Sequence, residues 1–457
     1  MKDPVVDKIL AHVARVAAGG LPEAARTTAK AFIADSLGVG VASAQAPWRR
    51  EVLDMASAPG GAPQATVWGT GEHLSLAAAA MVNAYQMHAL EFDCVHEGAV
   101  VHAMSAVLPC LVGWAERHDG ISGERLLRAI VAGVDVAVTL GLCSRAPMRF
   151  FRPANCSGFG AVAGLGLLAG LGEGQLRDAL GIYYGQCAGT MQAHQEASPQ
   201  LAMQMGFAAR AAITAIELAG RGMPGPRAPI SGPFGYFALF DGSADPAPFD
   251  DLGRVWRVCE LSHKPFPSGR ATHGGLDGLQ QLILAHGITA DRVRAGRFLV
   301  PPLTHRLVGR PAEDGMAVAY ARLCLGYVGA VCLRRGTVAT GDFTPEALAD
   351  PATLGLARRL SVTADGNKDP NALAPIRVEL DLAAGNTVAA DVADVLGSPA
   401  RPLLPEAARA KFAMCCAELP DRGARLWETA MTLETVGDVR ALADVLTSAT
   451  QITTLSG

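Results

Sequence analysis

Glu91, Asp93, His96 and His102 stand within twelve residues of one another in 88-HALEFDCVHEGAVVHAMSAVLP-109, where one helical pattern gives way to a loop before the next helix at 104. Two carboxylates and two imidazoles on a loop between buried helices are the makings of an acid–base site, because a carboxylate beside a histidine sets its tautomer. A helix-capping loop or a metal site would use the same residue types, but the spacing matches no tight metal motif. A second group lies in 261-LSHKPFPSGRATHGGLDG-278. There Pro265 and Pro267 force an extended corner, Ser268 is placed to cap a helix starting near Arg270, and Lys264, Arg270 and His273 surround that start. Free N–H groups, a positive dipole end and a guanidinium able to grip two oxygens suit a carboxylate, with a lysine and a histidine at hand for proton transfer. A capped surface helix with solvated charges would look the same.

The third stretch, 150-FFRPANCSGFGAVAGLGLLAGLG-172, contains a formal GxGxxA at Gly158, Gly160 and Ala163. No strand precedes it, so the dinucleotide reading fails its context. Asn155 or Ser157 capping a Gly/Ala-rich helix that packs backbone to backbone is the better account, with Arg152 beside the helix start. The polar run 194-HQEASPQ-200 suits the lining of a cleft, while His88, His118 and His286 read as ordinary helix residues and Tyr327 as core. A thiol enzyme using Cys94 or Cys156 is a remote alternative. Neither a G-x-S-x-G elbow nor a P-loop is present, which counts against an α/β-hydrolase or an NTPase.

These residues need a frame. Helical periodicity marks 4–18, 21–43, 74–91, 104–118, 122–145, 157–170, 174–187 and 200–221. The Pro/Gly-rich 221-RGMPGPRAPISGPFGYF-237 breaks the pattern. Strand-like segments follow at 256–261, 292–300, 358–365, 375–382 and 386–392, with helices at 270–286 and 314–335 between them and at 404–418 and 437–449 after them. The expectation is a mainly α protein with a smaller α+β domain: an all-α domain over 1–247, an α+β domain over 253–399, and a C-terminal helical piece over 400–457. At 457 residues, 50% apolar and 18% charged, the chain has ample core material, and a net charge of −4 leaves no basic face for nucleic acid. No apolar run is long enough for a bilayer, and the amphipathic MKDPVVDKILAHVARV lacks a signal-peptide core, so a cytoplasmic protein is expected. The ten cysteines are scattered without zinc spacing, so neither disulfides nor a structural metal is expected.

In this order the segments resemble the MmgE/PrpD family, which includes 2-methylcitrate dehydratases, cis-aconitate decarboxylases and an iminodisuccinate epimerase. ALEFDCVHEGAVVHAMSAVLP is similar to the family's "ALDFDDxH…xHPSAxVLP", GERLLRAIVAGVDVAVTLG to "GxxLLxAxVAGxEVxxRIG", RPANCSGFGAVAGLGLLAGL to "HPTGTxGxFGAAAAAxxLLGL", and KPFPSGRATHGGLDG to "KPYPxCxxxHxxIDA". The resemblance covers nearly the whole chain. It implies a helical domain to which the C-terminal helices return, an α+β lid, a cleft site between them, a homodimer and no required cofactor. Position by position, Asp93, His102 and Lys264 match family site residues, Glu91 stands where aspartate is usual, and Tyr327 falls where a tyrosine follows "KFSLPY". Arg152 replaces the histidine of "HPTGT". Leu201 and Gln204 replace the lysine and histidine of "KxLHxGxAA", and Gly269 replaces a histidine beyond the lysine.

Together these readings point to an enzyme that abstracts a proton beside a carboxylate of a small di- or tricarboxylate. His102 is the expected base, oriented by Asp93 or Glu91. Lys264 and Arg270, with Ser268 at the helix start, would hold the developing enolate. His96, His273 or Tyr327 would supply the second proton, and Arg152 and Gln204 would shape the substrate pocket. Protonation of a leaving hydroxyl makes a dehydratase, and protonation of the opposite face makes an epimerase. A non-catalytic carboxylate-binding homologue is the third reading.

Overall fold

Asp3 accepts the N–H groups of Val5 and Val6 and opens the first helix, Pro4–Ala18, whose apolar face packs inward. The structure, a computed structural model, describes residues 2–446. Long helices follow at Glu23–Ala42, Leu76–Ala89, Met104–Arg117, Gly123–Leu142, Arg152–Ala169, Glu173–Tyr184 and Gln200–Gly220. Small residues let them approach closely: a Cβ added at Gly133 would come within 2.8 Å of the Gly160 carbonyl. The helix at Arg152–Ala169 starts five residues before the expected 157. Pro153 fits its first turn without losing a hydrogen bond, so Asn155 and Ser157 lie inside the helix instead of capping it. The helix Arg49–Ser57 and the two-residue strands β1 (Ala65–Thr66) and β2 (His73–Leu74) were not anticipated.

The lid is a four-stranded sheet of β3 (Val293–Val300), β4 (Leu360–Ala364), β5 (Ile376–Leu382) and β6 (Thr387–Val392) in the order β4-β3-β5-β6. β3 and β4 run parallel, and the other neighbours run antiparallel. Burial alternates strictly along β5, and its covered face meets the helix Arg270–His286. Gly274 and Gly278 make that contact possible, since a Cβ at either would come within 2.6 Å of Ile376 or Val378.

Three expectations are corrected here. Residues 256–261 form no strand: Arg257–Glu260 is a 3-10 turn, held by the Arg257 N–H on Asp135 and the Arg257 guanidinium on Glu260. Only the bridge between Ser262 and Val95 is sheet-like. The expected helix 314–335 divides into Val318–Arg322 and Leu325–Arg335 around an extended Cys324. The C-terminal helices are Pro405–Cys415, Pro420–Met431 and Arg440–Leu446, and residues 447–449 of the expected last helix lie outside the described residues. Among the described residues no helix is long and apolar enough to cross a membrane.

The first two C-terminal helices pack on Glu23–Ala42. Lys411 enters that interface, pairing with Asp35 at 2.7 Å, donating to the Phe92 carbonyl at 2.9 Å and lying 4.1 Å from the Phe92 ring centroid. Both charges are buried, so removing one leaves the other uncompensated. Lys411→Ala is expected to cost on the order of 3 kcal/mol and to lower the thermal midpoint, while Lys411→Met with Asp35→Leu recovers much of the loss. Calorimetry of the three variants checks this, and equal midpoints for Lys411→Ala and the parent chain would refute it.

Candidate active site

The helix Leu76–Ala89 ends in a sharp reversal. Glu91 adopts φ +51°, a left-handed conformation that an ordinary side chain rarely takes, and its N–H closes on the His88 carbonyl. Fully buried Phe92 anchors the next residue, which turns Asp93 inward. The bridge Val95–Ser262 then ties this loop to the segment carrying Lys264, with backbone hydrogen bonds of 3.1 and 2.7 Å. The helix Met104–Arg117 begins two residues after His102, so Asp93 lies at its positive end and accepts the Ser105 hydroxyl.

One carboxylate oxygen organises the centre. Asp93 Oδ2 accepts from His88 Nδ1 at 2.9 Å, and His102 Nδ1 lies 2.9 Å from the same oxygen, off the direction of a well-aligned hydrogen bond. The imidazoles meet edge to face with centroids 4.7 Å apart. Lys264 Nζ is 2.9 Å from Glu91 Oε2 and 3.6 Å from Asp93 Oδ1, and Glu91 Oε1 is 3.7 Å from His88 Nε2. Burial alone would push both carboxyls up, but their neighbours win: His102, His88 and Lys264 hold Asp93 well below its usual range, and Lys264 and the histidines hold Glu91 at about 2.

The two imidazoles are driven apart. Burial, with Lys264 nearby, outweighs Asp93 at His102 and lowers its pKa. Burial also opposes the charge on His88, but Asp93 and Glu91 together overcome it and raise its pKa. The surroundings therefore shift two neighbouring imidazoles in opposite directions, the pattern that separates a base from an acid. Both line a narrow cavity of about 70 Å³, shared with Glu91, His194 and Leu201 of the helical domain and with Gly269, Val308, Leu323 and Leu373 of the lid. His194 is buried and lowered to about 4, chiefly by burial and then by Arg310.

Of the residues singled out in the sequence, Glu91, Asp93, His102 and Lys264 come together here, although Lys264 is wholly buried behind the two carboxylates. The others are engaged elsewhere. His96 Nδ1 accepts the Ala99 N–H, which leaves Nε2 to donate to Glu260 at 3.1 Å. His273 Nε2 donates to the Ser268 carbonyl, and Ser268 Oγ meets Thr272, so Ser268 does not cap the helix at Arg270. The Arg270 guanidinium is held by Glu97 and by the carbonyls of His263, Val395 and Leu396. Arg152 donates to the Ala99 carbonyl, Gln204 to the Thr190 carbonyl, and Tyr327 to the Asp342 carbonyl. Burial raises the thiols of Cys94 and Cys156, the latter to about 11, which suits small core residues and not nucleophiles.

Three site residues escaped the sequence reading. His88 sits on an apolar helix and reads from sequence as an ordinary helix residue. His194 was visible only as part of a polar loop. Arg322 donates to the Leu90 and Pro267 carbonyls at 2.6 and 2.7 Å and so clasps both site loops. His88, Asp93 and His102 also offer ligand atoms within 4.8 Å of one another, a set able to hold a cation. Such an ion would compete with Lys264 and the His88 proton, which already balance Asp93.

A match to the MmgE/PrpD N-terminal domain spans residues 7–248, and one to the MmgE/PrpD C-terminal domain spans residues 266–435. The chain is 25% identical to a cis-aconitate decarboxylase of Aspergillus terreus over 87% of its own length and 86% of that protein's. It is likewise 25% identical to the cis-aconitate decarboxylase-like protein oryM of Aspergillus oryzae, over 91% of each chain.

Titration of the histidine resonances of the intact chain tests the electrostatics without any substrate. The His102 imidazole is expected to remain neutral to below pH 6.5 and His88 to remain protonated above it. Assignment uses His102→Gln and His88→Gln, and a single unshifted midpoint for both rings would overturn the assignment.

Proposed function

The chain belongs to the MmgE/PrpD family, and from that premise we propose that it is a lyase that removes a proton from carbon beside a carboxylate of a small organic acid and expels a hydroxyl as water. The observation that carries this reading is the pair His88 and His102, whose surroundings shift their pKa values in opposite directions around one Asp93 oxygen. His102 Nε2 takes the carbon-bound proton, and Asp93 steadies the imidazolium that forms. The electron pair released becomes the new carbon–carbon double bond as the hydroxyl departs. His88 supplies the proton that makes this hydroxyl water, and the two rings exchange a proton with solvent before the next turnover. Acid–base steps of this kind contribute on the order of 10²–10⁴-fold each. Lys264 does not reach the cavity. It keeps Glu91 and Asp93 ionised and so acts as a positioning residue.

Decarboxylation is the second reading, favoured by the names of the relatives and by the apolar wall of the cavity. A carboxylate that leaves as CO2 loses its charge, which an apolar surface encourages, and protonated His88 can then deliver a proton to the carbon left behind. The homodimer belongs to the same family reading. Light scattering would check it by a mass twice the 47.3 kDa of one chain.

Proton NMR in D2O with citrate, 2-methylcitrate, cis-aconitate, malate, tartrate and iminodisuccinate tests the chemistry. A new olefinic signal with loss of substrate supports the dehydratase. Carbon dioxide release indicates the decarboxylase, and exchange of an α-proton without a new skeleton indicates an epimerase. On the active acid, kcat/KM should be bell-shaped. Its acid limb, where His102 becomes protonated, lies below pH 6.5, and its alkaline limb, where His88 loses its proton, lies above. His102→Ala should reduce turnover at least about 10²-fold, and near-normal turnover would remove His102 from the mechanism.

A further inference from the structure

The space facing the histidine pair has two unlike ends, a division that proton transfer alone does not require. On one side Met148, Phe151, Met191, Leu201, Leu307 and Leu373 form an apolar wall. Leu201 and Gly269, both on this cavity, stand where the family's motifs place a lysine and a histidine. On the other side an adjoining cavity of about 130 Å³ shares His88, Glu91, Leu201 and Leu323 with the first and adds Trp48, Tyr85, Ser198 and Arg322.

The cations of the site are not equivalent. Lys264 is matched by Glu91 and Asp93, and Arg270 by Glu97. Arg310 lies outside both cavities, donating to the His194 carbonyl and stacking on Tyr320. Arg322 is only 3% exposed, yet among the described residues no carboxylate lies within 4.0 Å of it, and its buried Nε has no hydrogen-bond partner. Its contacts are two carbonyls through Nη1 and the Phe343 ring at 4.2 Å. Burial lowers it only to about 10, so it stays charged at neutral pH. Glu91 acts on it only from beyond 4.0 Å and is itself paired with Lys264 at 2.9 Å, so the guanidinium has no ion-pair partner of its own, and a guanidinium meets a carboxylate with paired hydrogen bonds.

We propose that the substrate is amphipathic: a carboxylic acid bearing an alkyl group, with one carboxylate on Arg322 and the alkyl group against Leu201, Met148 and Met191. This rests on the lyase reading above for the placing of the reacting carbon beside His88 and His102. A compact tricarboxylate would press charge onto the apolar wall, where the bordering guanidinium of Arg270 is already matched by Glu97.

Calorimetric titration of the full chain with succinate and its 2-methyl, 2-butyl and 2-hexyl derivatives tests the proposal without needing turnover. Affinity should rise by about fourfold per methylene until the apolar end is filled. Leu201→Lys should flatten that slope and improve citrate binding. Arg322→Gln should weaken every member at least about tenfold while keeping the slope, and Arg322→Lys should restore part of the loss. If Arg322→Gln fails to fold, as judged by circular dichroism, the parent series and Leu201→Lys decide. A flat series, citrate binding tighter than 2-hexylsuccinate, or unchanged affinity in folded Arg322→Gln would overturn the proposal. Graded binding with no turnover of any acid would remove the lyase reading and leave this one standing. Turnover of citrate beside a flat series would do the reverse.

Discussion

A single carboxylate oxygen, Asp93 Oδ2, sets the chemistry of this molecule. It meets His88 and His102 through the same ring nitrogen, Nδ1, and so turns both Nε2 atoms away from it. Left alone, two buried imidazoles would both be neutral, because burial penalises their charge. One shared anion is insufficient to charge both, and the remaining neighbours break the tie. Glu91 lies on the His88 side and helps to raise its pKa, while Lys264 helps to lower that of His102. Identical side chains thus acquire opposite tendencies through their surroundings.

That arrangement depends on a loop held against its own preferences. Glu91 is left-handed, and such strain persists only where the surroundings over-determine it. The residues on either side are each pinned through a backbone carbonyl by a cation from a distant part of the chain: Leu90 by Arg322 and Phe92 by Lys411. The Val95–Ser262 bridge adds a third tether. Lid, C-terminal helices and helical domain therefore converge on four consecutive residues, Leu90 to Asp93. This explains why a chain with two separate sequence domains needs both to build one acid–base centre. Val100 and Trp48, also left-handed without being glycine, line the two cavities, whereas left-handed Ala197 lines neither.

The helical frame was legible because long 3.6-residue periodicities dominate the first half and because β5 alternates strictly. The failures were local. Residues 256–261 are apolar enough for a strand, but the buried carboxylate of Asp135 captures the Arg257 N–H and turns the chain. Pro153 reads as a helix breaker from sequence and serves as a first-turn residue in the structure. At the site, the charged residues of the two motifs were visible as types, yet their partners were not. Arg270, His273 and His96 look as chemically able as His102, and only tertiary contacts show that Glu97, Ser268 and Glu260 occupy them. His88 was hidden for the opposite reason, since a histidine on an apolar helix gives no sign that an acid lies five residues on in space as well as in sequence.

The acid–base centre and the selectivity wall are built from different material, and this separation has a structural consequence. His88, Asp93 and His102 belong to one loop and its flanking helices, whereas Leu201 lies in the first turn of the helix Gln200–Gly220 and Gly269 caps the helix Arg270–His286. The wall can change while the centre stays intact. The two altered positions are not equally free, however. At Leu201 a longer polar side chain needs only to reach along the cavity. At Gly269 a Cβ would come within 2.6 Å of Leu323, a residue that lines both cavities and neighbours Arg322. A histidine there requires the Leu323 side chain to move. The space a histidine at 269 would need is thus the space that Leu323 fills beside Arg322, which ties the two lid-side features to each other.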